Sequence, residues 1–403
     1  MPLSPLSHPF YVMAKPVGSS CNLRCHYCYY SPRDKAPARM SASTLEMFIR
    51  EYIEMQTTDS VLFTWHGGEP TLCGLDFYQE VVRLQRRYAD GRQVDNALQT
   101  NGTLLTPEWC RFLRDEGWLV GLSLDGPEHL HDAYRLDAEG RGTHAAVLRA
   151  AALLCQFDVE WNAMATVNQA TASEPQAFYR FFKQIGCQYL QFTPVVERWR
   201  EDAPGRLAAP DEPGTLAPYS VTPEAWGSFL CTLFDEWVSQ DVGRVFVQLF
   251  DATLAGWMGV EPGVCTLART CGHAAVIEAD GSVYACDHFV FPGYRLGRLS
   301  PSSPLLSLLT SERQRTFGQD KQRALTRQCR RCPWLFACHG ECPRCRFAVS
   351  DEGEFGQNYL CAGYRRFFEH AAPAMDFMRH ELLAGRPPAN VMRVTSFLMK
   401  NEK

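Results

Sequence analysis

Two hydrophobic periods alternate along the first half of the chain. Tyr11–Val17 reads as a short apolar strand. A helix follows, opening at the capping box Ser43-Thr44-Leu45-Glu46, and its Leu45, Phe48, Ile49, Tyr52 and Ile53 recur at the spacing of one helical face. Ser60–Trp65 is a second strand, Leu75 to Tyr88 a second helix and Ala97–Thr100 a third strand. Thr106-Pro107 starts another helix, with an N-cap hydroxyl and proline at the first helical position. Strand Leu119–Leu124, helix His144–Gln156, strand Val159–Val167, helix Glu174–Ile185 and strand Gln188–Phe192 complete the series. Strands alternating with helices predict an α/β fold, a parallel sheet joined by right-handed crossovers. Six such units fall short of the eight of a closed barrel, so a curved, open (β/α)6 barrel is expected, with its chemistry at the carboxyl ends of the strands.

The pattern then changes. Residues 197–222 are polar and hold Pro204, Pro210, Pro213 and Pro218, which predicts an exposed loop or linker. A helix from Pro223 to Val238 turns Ala225, Phe229, Leu233 and Trp237 to one side. Beyond Gly263 short strands and turns dominate, and Asp280-Gly281 between two strand-like runs signals a hairpin. These shifts predict a domain over 1–235, a smaller α+β domain over 236–375 and a helical, then basic, tail over 376–403.

Composition narrows the function. With 46% apolar residues and 12% aromatics the chain is a folded globule. A net charge of −5 gives no reason to expect nucleic acid or an acidic membrane as partner. Met1 to Tyr11 carries no leader pattern, and no apolar run reaches the length of a spanning helix, so a cytoplasmic protein without a membrane partner is expected. Seventeen cysteines in such a compartment are read as metal ligands and buried thiols, not as disulfides. Five of them, Cys73, Cys110, Cys155, Cys187 and Cys231, are scattered singly, as core residues are.

The other twelve fall in two fields. Cys21-x3-Cys25-x2-Cys28 follows the first strand. Three thiolates at this spacing can hold three irons of a [4Fe–4S] cube and leave the fourth open to a small molecule; a zinc loop or three unrelated cysteines are the bland competitors. The second field runs Cys265-x5-Cys271, Cys286, Cys329-x2-Cys332-x5-Cys338-x3-Cys342-x2-Cys345 and Cys361. Its spacing alone admits two zinc ions.

With Tyr27 before the third cysteine, the first run resembles the radical S-adenosylmethionine (SAM) enzymes. Gly67-Gly68-Glu69-Pro70 after strand two looks like the segment whose backbone meets the methionine amine of SAM in that family. The resemblance puts Tyr27, Gly68, Ser123, Arg135 and Val196 beside the cofactor. The second field, with Trp334, Phe336 and Gly340 between its cysteines, is similar to the SPASM extension of peptide-modifying radical SAM enzymes. That likeness implies two auxiliary [4Fe–4S] clusters, three in all. Carried over, Cys265, Cys271, Cys286 and Cys342 hold the first, and Cys329, Cys332, Cys338 and Cys361 the second. Cys345 is left over, as a spare thiol or a substitute for Cys342.

From Met13 to about Phe368 the chain resembles the anaerobic sulfatase-maturating enzymes. The closest stretches are Cys21–Tyr30, Gly67–Gly74, Leu98–Leu105, Val120–Pro127, Leu190–Phe192 and Gly281–Asp287. The resemblance implies oxidation of a cysteine or serine, in a Cys/Ser-x-Pro-x-Arg segment of an unfolded sulfatase, to Cα-formylglycine. A 5′-deoxyadenosyl radical takes hydrogen from Cβ, Asp287 is the base, and the auxiliary clusters take the electron. A small electron donor such as flavodoxin or ferredoxin is implied as partner. Shielding from water is expected to raise the pKa of Asp287. Tyr29-Tyr30 stands where Phe-Tyr is common and His66 where glutamine is usual; neither is expected to touch a ligand or the base. The alternative is another SPASM maturase of ribosomal peptides, forming thioether or carbon–carbon cross-links. A non-catalytic metal scaffold is the reading from a different class.

Overall fold

The computed structural model describes residues 10–30 and 39–395. The remainder, including 1–9 of the stretch read for a leader and the basic end 396–403, lies outside the described residues. Two compact units interleave along the chain, one from 1–123, 131–161 and 271–319, the other from 124–130, 162–270 and 320–403.

In the first unit, strands β1 (Tyr11–Lys15), β2 (Ser60–Trp65), β3 (Gln93–Thr100) and β4 (Leu119–Ser123) lie in the order β4-β3-β2-β1, all parallel. Their carboxyl ends therefore share one edge of the sheet. The β2 side chains alternate, and the buried Phe63 and Trp65 pack edge-on against Phe48 of helix α1 (Ala42–Glu54). Trp65 also meets Phe77 and Tyr78 of helix α2 (Leu75–Tyr88). Its indole N–H donates 2.9 Å to Asn96 Oδ1, which also accepts from Gln85, so the polar atoms of this trio are matched. The face Leu45, Phe48, Ile49, Tyr52, Ile53 is buried as its period predicts. The cap, however, is Ser41, whose hydroxyl accepts from Thr44 N–H. Position 44 carries threonine and not a carboxylate, so the reciprocal half of a capping box is missing.

Sequence periodicity does not reveal which strand borders β1. Residues Ala274–Glu278 pair with it in parallel, Tyr11 opposite Ala274 and Lys15 opposite Glu278. The predicted hairpin is present, since Ala274–Glu278 runs antiparallel to Ser282–Tyr284 across the Asp280-Gly281 turn. Arg295–Arg298 adds a further antiparallel strand.

In the second unit, β5 (Trp161–Val167) and β6 (Tyr189–Pro194) pair in parallel, with Phe246–Val247 beside β6. The 197–222 segment, expected as a bare loop, holds three short antiparallel strands. Arg198 organises it by donating to the carbonyls of Ala209, Pro210 and Glu212. Helices Pro223–Gln240 and Cys361–Leu383 cross tightly, because a Cβ on Gly363 would lie 2.3 Å from Pro223 O. The second of these helices runs through residue 376, where the tail was expected to begin. Among the described residues no helix is long and apolar enough to cross a membrane.

Candidate active site

The cysteine loop follows β1 and lies along residues 134–137. Arg24 N–H donates 2.7 Å to Leu136 O, and His26 N–H donates 2.9 Å to Tyr134 O. The buried Leu23 and Tyr27 anchor it, and the Arg135 guanidinium stands 5.5 Å from the centre of the Tyr27 ring. Tyr27 and Arg135 are thus brought together. Burial pushes the Cys21 thiol up to about 12 and Cys28 up to about 11, and Cys25 adds to both rises. Thiols near enough to repel one another as anions suit a cationic cluster that holds them deprotonated.

The ends of β2, β3 and β4 support this loop. Gly68 needs to be glycine because a Cβ there would lie 2.1 Å from Ser20 O, and its N–H donates to Gly18 O. Its place against the segment before Cys21 is an assembly role additional to any contact with a cofactor. Glu69 is fully buried and accepts from Thr71 N–H, the Thr71 and Thr100 hydroxyls and Asn101 N–H. Burial raises its pKa, with those four donors working against the rise. Asn101 in turn donates 2.9 Å to Asn22 Oδ1 and lies 3.9 Å from Cys21 Sγ. At the end of β4, Ser123 Oγ accepts 3.0 Å from Gln99 Nε2. Sequence reasoning passed over Glu69, although a charge inside an otherwise tight turn was its signal. Glu69→Ala strands four donors, and at about 1–3 kcal/mol for an orphaned group the expected loss of stability is about 3 kcal/mol or more, measured by anaerobic chemical denaturation.

Asp287 sits after the hairpin, in the same unit. Its carboxylate pairs with Lys15 at the end of β1, which is fully buried, and accepts 2.5 Å from the Tyr29 hydroxyl. Lys15 Nζ also lies 3.4 Å from the centre of the Tyr30 ring, and Tyr30 bonds to Glu278. Burial does push the Asp287 carboxyl upward, as expected. The attraction of Lys15 leads those that outweigh it, however, and the group ends well below the usual carboxylate range. This corrects the expected rise, because periodicity gives no hint that a lysine meets this aspartate. One further expectation changes: Tyr29 touches the candidate base directly, while His66, its pKa lowered by burial to about 4, accepts from Gly67 N–H.

The auxiliary cysteines divide between the units. Cys271 and Cys286 belong to the first and Cys265 and Cys342 to the second. Cys329, Cys332, Cys338 and Cys361 together line one cavity of about 200 Å³ in the second unit. Burial raises the Cys338 thiol, and raises Cys361 to about 11, while neighbouring cysteines add to each. Four thiols lining one cavity, which Glu352 also lines, are a donor set that fits a closed cube. The Cys345 thiol is absent from that cavity's lining and lies among Glu341, Glu197, Arg344 and Arg198. Val196, also in the second unit, is buried just past β6.

Residues 16–182 match the model of the radical SAM superfamily, and residues 265–333 match that of an iron–sulfur cluster-binding domain, SPASM. A serine-type anaerobic sulfatase-maturating enzyme of Bacteroides thetaiotaomicron is 52% identical over 398 residues, covering 97% of this chain and 96% of the relative. The chain belongs to the anaerobic sulfatase-maturating enzymes. A cysteine-type enzyme of Clostridium perfringens is 33% identical over 375 residues, 91% of this chain and 97% of the relative. The solved structure "Native anSMEcpe with bound AdoMet and Cp18Cys peptide" superposes with a TM-score of 0.83 at 32% identity, covering 93% of this chain and 100% of that one. The maturase is therefore a radical SAM oxidoreductase with a partial barrel and a SPASM domain, works with [4Fe–4S] clusters and SAM, and acts on sulfatase polypeptide.

Proposed function

We propose that this maturase oxidises the target serine of a Ser-x-Pro-x-Arg sulfatase segment, or the cysteine of its Cys twin, to Cα-formylglycine. Serine is put first because the 52% identical relative is of the serine type and the 33% identical one of the cysteine type. Cys21, Cys25 and Cys28 would hold the SAM-binding cluster, with Tyr27, Gly68, Ser123, Arg135 and Val196 around SAM. When bound, SAM and that cluster supply a radical able to take hydrogen from Cβ. Asp287 takes the hydroxyl or thiol proton, and Lys15 holds its carboxylate in place. The Tyr29 hydroxyl orients that carboxylate. The sets Cys265, Cys271, Cys286, Cys342 and Cys329, Cys332, Cys338, Cys361 would hold the clusters that accept the electron.

The observation that carries this reading is the pairing of Asp287, directly after Cys286, with the buried Lys15 and with Tyr29, in the unit that contains the cysteine loop. The proposal extends to family domains over 1–235 and 236–375 with a tail over 376–403, to a flavodoxin- or ferredoxin-like donor, and to a cytoplasmic setting without nucleic-acid or membrane partners. Anaerobic incubation with a Ser-x-Pro-x-Arg peptide and its cysteine twin tests the activity. An aldehyde captured by a hydrazide is the expected product, formed faster from serine. Loss of two hydrogens with no aldehyde would instead identify a cross-linking maturase.

A further inference from the structure

The cavity lined by Cys329, Cys332, Cys338 and Cys361 is also lined by a buried amide that donates to one of these cysteines and lies beside another. Gln357 ends the strand Phe355–Gln357 and is 4% exposed. Its Nε2 donates 2.8 Å to Cys361 Sγ. Its Oε1 accepts 2.6 Å from the Thr326 hydroxyl and lies 3.4 Å from Cys329 Sγ. Thr326 Oγ1 accepts 3.2 Å from Cys329 N–H and so must turn its own proton toward Gln357. The chain of bonds from Cys329 through Thr326 and Gln357 to Cys361 has one consistent direction. Once Cys329 binds iron as a thiolate its S–H donor is gone, and Thr326 remains to fix which end of the amide faces Cys361.

We propose that Gln357 sets the reduction potential of the cluster held by Cys329, Cys332, Cys338 and Cys361, with Thr326 holding its amide in the donating orientation. This rests on the ligand assignment above. Reduction adds one negative charge to the cube, and an N–H aimed at a ligating sulfur stabilises that charge more than it stabilises the oxidised form. Hydrogen bonds to the sulfurs are among the levers that set such potentials. In a buried site with little water to compete, one such bond counts for more than it would at the surface. Gln357 is thereby a positioning and tuning residue for the electron that leaves the substrate radical.

The test uses the full chain with Cys21, Cys25 and Cys28 changed to Ala, which leaves the auxiliary clusters alone in the spectrum. Adding Cys361→Ala identifies which signal belongs to this site. If Cys361→Ala removes no signal, the ligand assignment fails, a result separate from the fate of Gln357. Potentiometric titration followed by electron paramagnetic resonance is then run on Gln357→Leu and Thr326→Val. Gln357→Leu is expected to keep about eight irons per chain and to lower the reduced-to-oxidised ratio of that one cluster about tenfold at fixed potential, ~59 mV for one electron. The other cluster should not move. Thr326→Val should shift the same signal in the same direction by less. An unchanged potential in both variants would overturn the proposal, and so would loss of half the iron in Gln357→Leu, which would make the residue a structural support.

Discussion

Asp287→Asn is expected to leave SAM cleavage intact while cutting formylglycine formation about 10²–10⁴-fold, the usual contribution of a positioned base. The amide keeps the shape of the carboxylate but has no basic oxygen to receive the proton. It also leaves Lys15 charged, fully buried and without its counter-ion. Removing one partner of a buried pair costs about 3–5 kcal/mol, so lost turnover by itself would not separate chemistry from stability. The double variant Lys15→Met/Asp287→Asn does separate them. It should regain much of the lost stability, because no orphaned charge remains, and recover none of the product. SAM cleavage, read as 5′-deoxyadenosine, reports that the cysteine loop is still built. Product yield unchanged in Asp287→Asn would remove this carboxylate from the mechanism.

Changing Cys21, Cys25 or Cys28 to Ala should abolish SAM cleavage outright and cost about four irons per chain. A cube missing one of only three thiolates has a second exposed iron and no reserve ligand in the loop. Cys345→Ala provides the contrast. Its thiol is packed among Glu341, Glu197, Arg344 and Arg198 and not in the four-cysteine cavity, so iron content should not change. Anaerobic iron and sulfide analysis checks both, and iron loss in Cys345→Ala would promote it to a ligand.

Local pattern was legible where one element decides its own fate. Helix α2 was bounded at Leu75 and Tyr88 by its stripe of Phe77, Tyr78, Val81 and Val82, and Thr106 capped its helix as the sequence suggested. The turn at Asp280-Gly281 was legible for the same reason. What escaped depends on residues far apart in the chain. Ser43 and Ser41 compete for one cap, and the backbone geometry that favours Ser41 leaves no trace in composition. The 197–222 segment looked like linker because its order comes from a single guanidinium binding three carbonyls. The surroundings of Asp287 come from β1, from the cysteine loop and from the end of β2, so burial alone predicted the wrong sign for its pKa.

The parallel pairing of β1 with Ala274–Glu278 bears on how the molecule is made. On the ribosome, the amino-terminal strand emerges long before its neighbour, and at about 5–20 residues per second the wait is on the order of tens of seconds. Throughout that interval one side of β1 is a raw edge able to pair with a stranger, and Lys15 has no anion to answer it. The strand Ala274–Glu278 and the Asp287 that answers Lys15 arrive close together, late but not last, since the segment Cys329–Cys361 follows them. Birth order thus places the closing of that edge, and the neutralising of the lysine at its end, among the later steps by which the unit is assembled.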